Sequence, residues 1–172
     1  MVVWLTGAPG LADDVADELW AALPGARVVD PGPLDDVVRS GSGALQALES
    51  SPGWRALLAT AAAELVAWRS ERLVVPRPVL DPRLWGVLEA ALLRAGLDAA
   101  LVELDADDED LRRRVDDARV AVAPRLREVE RHALARSWLH VRADVVVDTT
   151  GLSAAQVARR VAGRLGMDAG VR

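Results

Sequence analysis

Short apolar runs and longer amphipathic stretches take turns along the chain. Met1-Val2-Val3-Trp4-Leu5-Thr6 is apolar and stops at Gly7-Ala8-Pro9-Gly10, the signature of a strand buried in a parallel sheet. From Asp13 to Leu23 the apolar positions Val15, Ala16, Leu19, Trp20 and Leu23 follow helical spacing, with acids in the first turn and Pro24-Gly25 as the stop. Further strands are predicted at residues 26–30, 72–76, 99–104 and 143–148. Helices are predicted at 34–40, 44–49, 54–70, 82–94, 107–119, 123–139 and 153–165, with Ser153 as an N-cap and 167–172 as a fraying tail. Pro82 opens one helix and Gly96 follows its end. Strands alternating with helices predict an α/β domain spanning residues 1–166, with a parallel sheet covered on both faces by right-handed crossovers.

The turn after the first strand is where a phosphate loop would sit, with backbone N–H groups and a helix N-terminus facing an anion. The pattern G-x-x-x-x-G-K-[ST] can be laid over Gly7-Ala8-Pro9-Gly10-Leu11-Ala12-Asp13-Asp14. Gly7 matches. Ala12 stands at the second glycine, Asp13 at the lysine and Asp14 at the hydroxyl that would hold magnesium. The frame is kept and the chemistry is reversed: two carboxylates occupy the positive end of the helix. The reading is of two helix-start acids on a former phosphate loop. An arginine reaching in from elsewhere, or a divalent ion held by Asp13 or Asp14, would be needed to restore it.

Composition sharpens this. All 21 basic residues are Arg, so no ammonium side chain is available to bridge phosphates. The absence of Lys, Ile, Phe, Tyr and Asn fits a GC-rich genome. There is no Cys, which excludes disulfides and thiolate chemistry. A net charge of -5 without a basic block argues against a nucleic-acid partner. No run approaches the ~20 apolar residues of a membrane span, and the first residues read as a strand, not a signal peptide. A cytoplasmic protein is the expectation.

Several segments in order resemble one family. These are Val2-Val3-Trp4-Leu5-Thr6-Gly7-Ala8, Val28-Val29-Asp30-Pro31 and Ser51-Pro52-Gly53-Trp54-Arg55, followed by Leu73-Val74-Val75-Pro76, Asp110-Leu111-Arg112-Arg113-Arg114-Val115 and Val147-Asp148-Thr149-Thr150-Gly151-Leu152-Ser153. Over nearly its full length the chain resembles the P-loop kinase-like proteins of the tunicamycin-resistance type, related in fold to nucleotide and shikimate kinases. The resemblance implies a three-layer P-loop NTPase-like fold, with five parallel strands in order 2-3-1-4-5 and the ligand at their carboxyl ends. It implies ATP and Mg2+ as cofactors and phosphoryl transfer to a small molecule or antibiotic. It places Gly7, Ala8, Gly10, Ala12, Asp13 and Asp14 in the phosphate loop. Asp30 becomes the acid that contacts the acceptor or acts as base, and Arg114, with Arg119 nearby, the nucleotide contact.

The departure at Asp13 and Asp14 makes the leading expectation a degenerate P-loop protein acting as a pseudoenzyme or binding and assembly protein. One alternative is a phosphotransferase that uses Arg in place of the loop lysine. Another is a homodimer built on the alanine-rich helix Trp54 to Arg69, with no small ligand. Of the remaining residues, Arg125, Arg127 and Arg131 read as an ion-pair-laced surface helix. The run Asp105-Ala106-Asp107-Asp108-Glu109-Asp110 reads as an acidic helix start. His132 and His140 fall in no metal-ligand spacing. Trp4 and Trp20 are expected in the core. Trp54, Trp68, Trp85 and Trp138 are expected in the core or at a dimer contact, with a pocket wall as the alternative.

Overall fold

The computed structural model describes residues 1–7, 10–30, 60–64, 66, 72–117 and 122–167. The side chains of Arg112 and of residues 114–117 and 122–128 are outside that description. The predicted elements at 34–40 and 44–49, Trp54, Trp68, Arg119 and most of the alanine-rich segment also lie outside it.

Among the described residues there are five strands: β1 (Val2–Gly7), β2 (Ala26–Val28), β3 (Arg72–Pro76), β4 (Ala99–Asp105) and β5 (Val145–Asp148). They pair in parallel in the order β2-β3-β1-β4-β5. Helices with described bounds are α1 (Ala12–Ala22), α2 (Pro82–Arg94), α3 (Asp108–Asp117), α4 (Val122–Arg142) and α5 (Ala154–Arg164), and residues 60–64, within the alanine-rich segment, are helical as well. The strand order is the one the resemblance implied.

Strand β1 is buried at every position because it lies mid-sheet between two helical layers. Its side chains alternate between them. Val3 and Leu5 pack with Val15 and Leu19 of α1 and Val157 and Val161 of α5. Val2 and Trp4 face the other way, with Trp85, Leu88 and Leu92 of α2 and Leu139 of α4. Trp4 meets Trp85 edge to face, with ring centroids 6.1 Å apart, and its indole N–H donates to the Arg77 carbonyl at 2.7 Å. The helix ends carry the expected signals. The Asp81 carboxylate accepts from Arg83 N at 2.8 Å ahead of Pro82. Ser153 and Gln156 form a reciprocal capping box at the start of α5.

Trp20 departs from expectation and is 58% exposed. The buried stripe of α1 runs through Val15, Ala16, Leu19 and Leu23. Trp20 is one residue past Leu19, so it is rotated ~100° off that stripe.

Because all strands are parallel, their carboxyl ends meet along one edge. There Gly7 of β1 stands in register with Leu104 of β4, and Asp105 of β4 with Asp148 of β5. The chain leaving β1 enters α1 on one face; the chain leaving β4 passes through α3, whose Leu111 packs on that same face, before α4 lays Ala135 and Leu139 on the other. In open α/β sheets ligands bind at this carboxyl edge.

Candidate functional site

The strand–turn–helix at the end of β1 is built around Gly7. Its φ is +129°, and a Cβ added there would stand 2.2 Å from the Leu104 carbonyl oxygen. Only glycine allows β1 and β4 to pair so closely at this point. Gly10 also has a positive φ, +76°, and is exposed. Ala8 is outside the described residues. Helix α1 starts at Ala12, which is half-buried, after Leu11, which is buried and supplies no side-chain cap. Asp13 and Asp14 stand exposed in the first helical turn. Gly7, Gly10, Ala12, Asp13 and Asp14 are thus brought together on one turn. Asp30 is exposed just past the end of β2, with β3 between it and β1. Arg114 lies on α3.

A second group of polar residues lies deeper, on the α4 side of β4. Glu103 and His132 have fully buried side chains, with Glu103 Oε1 3.8 Å from His132 Nε2. Asp105, two residues along the strand, projects to the same face. Its Oδ1 is 3.0 Å from Arg136 Nε, and the same guanidinium donates through Nη2 to the Ala106 carbonyl at 2.7 Å. His140 Nδ1 lies 3.1 Å from Glu103 Oε2 and 3.1 Å from the Arg136 carbonyl, while its Nε2 is 3.6 Å from Asp105 Oδ2.

Burial dominates the titration of this group. Loss of hydration pushes the Glu103 carboxyl up to about 7; neighbouring Asp105 adds to the rise, and His140 opposes it. Burial likewise holds the His132 imidazole below its ordinary value. Glu103 Oε1 and both ring nitrogens of His132 are buried without a hydrogen-bond partner among the described residues, whereas Glu103 Oε2 faces His140 Nδ1.

A groove of about 640 Å³ runs along β5 beside this group. It is lined by Asp105 and His140 on one side and by Arg159, Arg160 and Arg164 of α5 on the other. Asp148, which also lines it, accepts from Thr150 N at 2.9 Å, and that turn holds the Asp148 carboxyl below its ordinary value.

Sequence spacing did not single out Glu103, His132 or His140 as a group, because they come from a strand and a distant helix. A signal was present nonetheless. Ala99-Ala100-Leu101-Val102-Glu103-Leu104 is apolar except for one acid, and an acid inside a doubly covered strand needs a partner from the layer above.

No family model and no curated protein matches the chain. Among solved structures, it is similar to a tunicamycin resistance protein from Deinococcus radiodurans, with a TM-score of 0.76, 23% identity and 96% of each chain covered. It is similar to a gluconokinase from Sinorhizobium meliloti 1021, with a TM-score of 0.65, 15% identity, and 96% of this chain and 91% of that one covered. It is also similar to the APS kinase of Mycobacterium tuberculosis, solved with AMPPNP and APS, with a TM-score of 0.58, 19% identity and 96% of each chain covered. The strand order and these likenesses make the fold that of the P-loop kinase-like proteins.

Proposed function

We propose that this P-loop kinase-like protein has lost the nucleotide chemistry of its first loop and acts by binding a small molecule or a partner, not by phosphoryl transfer. The observation that carries this reading is the pair Asp13 and Asp14, exposed in the first turn of α1 in a chain without a single lysine. A carboxylate ~5 Å from a phosphate charge costs about 3 kcal/mol at an effective dielectric near 20, and the missing ammonium forgoes a similar attraction. Together these are enough to lower affinity for a triphosphate by several orders of magnitude.

Calorimetric titration of the full chain with MgATP tests the reading. Native protein is expected to show no binding at millimolar nucleotide. The double substitution Asp13→Lys and Asp14→Ser, which restores the ammonium and the hydroxyl, is expected to bring measurable binding. Micromolar MgATP affinity in the native chain, abolished by Arg114→Ala, would overturn the reading in favour of a phosphotransferase that uses arginine in place of lysine.

A further inference from the structure

We propose that Glu103, Asp105 and His132, with His140 on their solvent side, form a binding site for one divalent transition-metal cation. This inference does not rest on the fate of the nucleotide loop.

The donor set comes first. One ligand atom from each of Glu103, Asp105 and His132 can be chosen so that all three lie within 4.8 Å of one another. The 3.8 Å between Glu103 Oε1 and His132 Nε2 is a few tenths of an ångström wider than the roughly 3.4 Å between neighbouring ligands of a tetrahedral zinc ion. A small side-chain adjustment closes that gap. Glu103 and His132 have no exposed side-chain surface; Glu103 Oε2 faces His140 Nδ1 at 3.1 Å, while Glu103 Oε1 and both ring nitrogens of His132 find no hydrogen-bond partner among the described residues. Orphaned buried polar atoms of this kind are costly, and a cation between them would satisfy several at once.

The surroundings act as an outer shell. Arg136 Nε holds Asp105 Oδ1, leaving Oδ2 turned toward His140 Nε2. His140 Nδ1 lies 3.1 Å from both the Arg136 carbonyl and Glu103 Oε2, two acceptors that favour the tautomer with its proton on Nδ1 and the lone pair on Nε2. His140 is 44% exposed, and with Asp105 it lines the groove beside β5, so an ion has an entry path. The Arg136 guanidinium beside the site is shared between Asp105 and Asp108, so carboxylates outnumber cations around it and the local charge favours a cation. Imidazole in the donor set favours zinc and its neighbours over magnesium or calcium, which prefer oxygen alone.

The test is a zinc titration of the tag-free full chain after chelator treatment and dialysis. One equivalent is expected to bind at micromolar or lower Kd, with a rise in thermal midpoint. Magnesium at the same concentration is expected to give neither. His132→Gln and Glu103→Gln are each expected to weaken zinc at least ~10-fold, while Glu18→Gln, an exposed acid on α1, leaves it unchanged. Co2+ added in place of zinc is expected to show the visible d–d bands of a low-coordinate site, lost in His132→Gln. If circular dichroism shows that His132→Gln does not fold, His140→Gln at the solvent side decides by weaker zinc binding and an altered Co2+ spectrum. Absence of a stoichiometric zinc site in the native chain overturns the proposal. So does affinity unchanged in every His132 and His140 variant that folds.

Discussion

Replacing Glu103 by Gln in metal-free protein isolates the cost of a buried acid, and the sign of its effect depends on pH. In the fold the Glu103 carboxyl sits at about 7, against 4.5 when hydrated. The folded chain therefore keeps a proton that the unfolded chain gives up between those values. The stability this contributes is fully present below 4.5 and is lost as pH rises through about 7. Between pH 5 and pH 8 the loss amounts to ~2–3 kcal/mol. Gln is close in shape to the protonated acid and carries no titration. Glu103→Gln should then match the native protein within ~1 kcal/mol at pH 5 and gain ~2–3 kcal/mol on it by pH 8. Urea unfolding with chelator present reads this as a midpoint that moves relative to native by about 1 M, for an m-value near 2 kcal/mol/M. His132, held below its ordinary value by burial, acts with the opposite sign: its contribution is lost as pH falls below 6.5. Comparing the two proteins at each pH largely cancels it. A midpoint difference that stays constant from pH 5 to pH 8 would refute the argument that desolvation governs this carboxyl.

Three further outcomes test the packing. Gly7→Ala forces a Cβ to 2.2 Å from the Leu104 carbonyl oxygen at a φ of +129° and is expected to cost ~3–5 kcal/mol from overlap and strain together; a loss under ~1 kcal/mol by urea unfolding would contradict the close approach of β1 and β4. Trp4→Phe removes the hydrogen bond from the Trp4 indole to the Arg77 carbonyl, whereas Trp85→Phe removes a buried N–H without a partner among the described residues. Trp4→Phe should therefore be the less stable by ~1 kcal/mol, and equal thermal midpoints would count against this assignment. Ser153→Ala breaks the capping box of α5 and should cost ~1 kcal/mol, seen as a drop of ~3 °C in thermal midpoint; an unchanged midpoint would show that packing of Val157 and Val161 alone holds that helix end.

The contrast between the two polar groups at the carboxyl edge explains what could be read from the residues alone. The strands were legible because burial on both faces leaves an uninterrupted apolar run, as in Val2-Val3-Trp4-Leu5 and Leu73-Val74-Val75. The loop was legible because its chemistry is local: Gly7, Asp13 and Asp14 are fixed relative to one another by a single turn and the start of α1. Strand order came from resemblance, since hydrophobic pattern alone does not say that β3 inserts between β1 and β2. Trp20 departs from the core position its apolar character predicts because a one-residue step along a helix turns a side chain away from the buried stripe. The Glu103 group escaped detection for the same reason that makes it chemically pointed. Its members meet only when α4 lies across β4, and His132 and His140, eight residues apart, fall in no metal-ligand spacing until the strand beneath them supplies an acid. A buried carboxylate facing a buried imidazole costs stability in any protonation state that leaves either unmatched. Its presence in the middle of an otherwise apolar strand is therefore better explained by something it binds than by anything it contributes to folding.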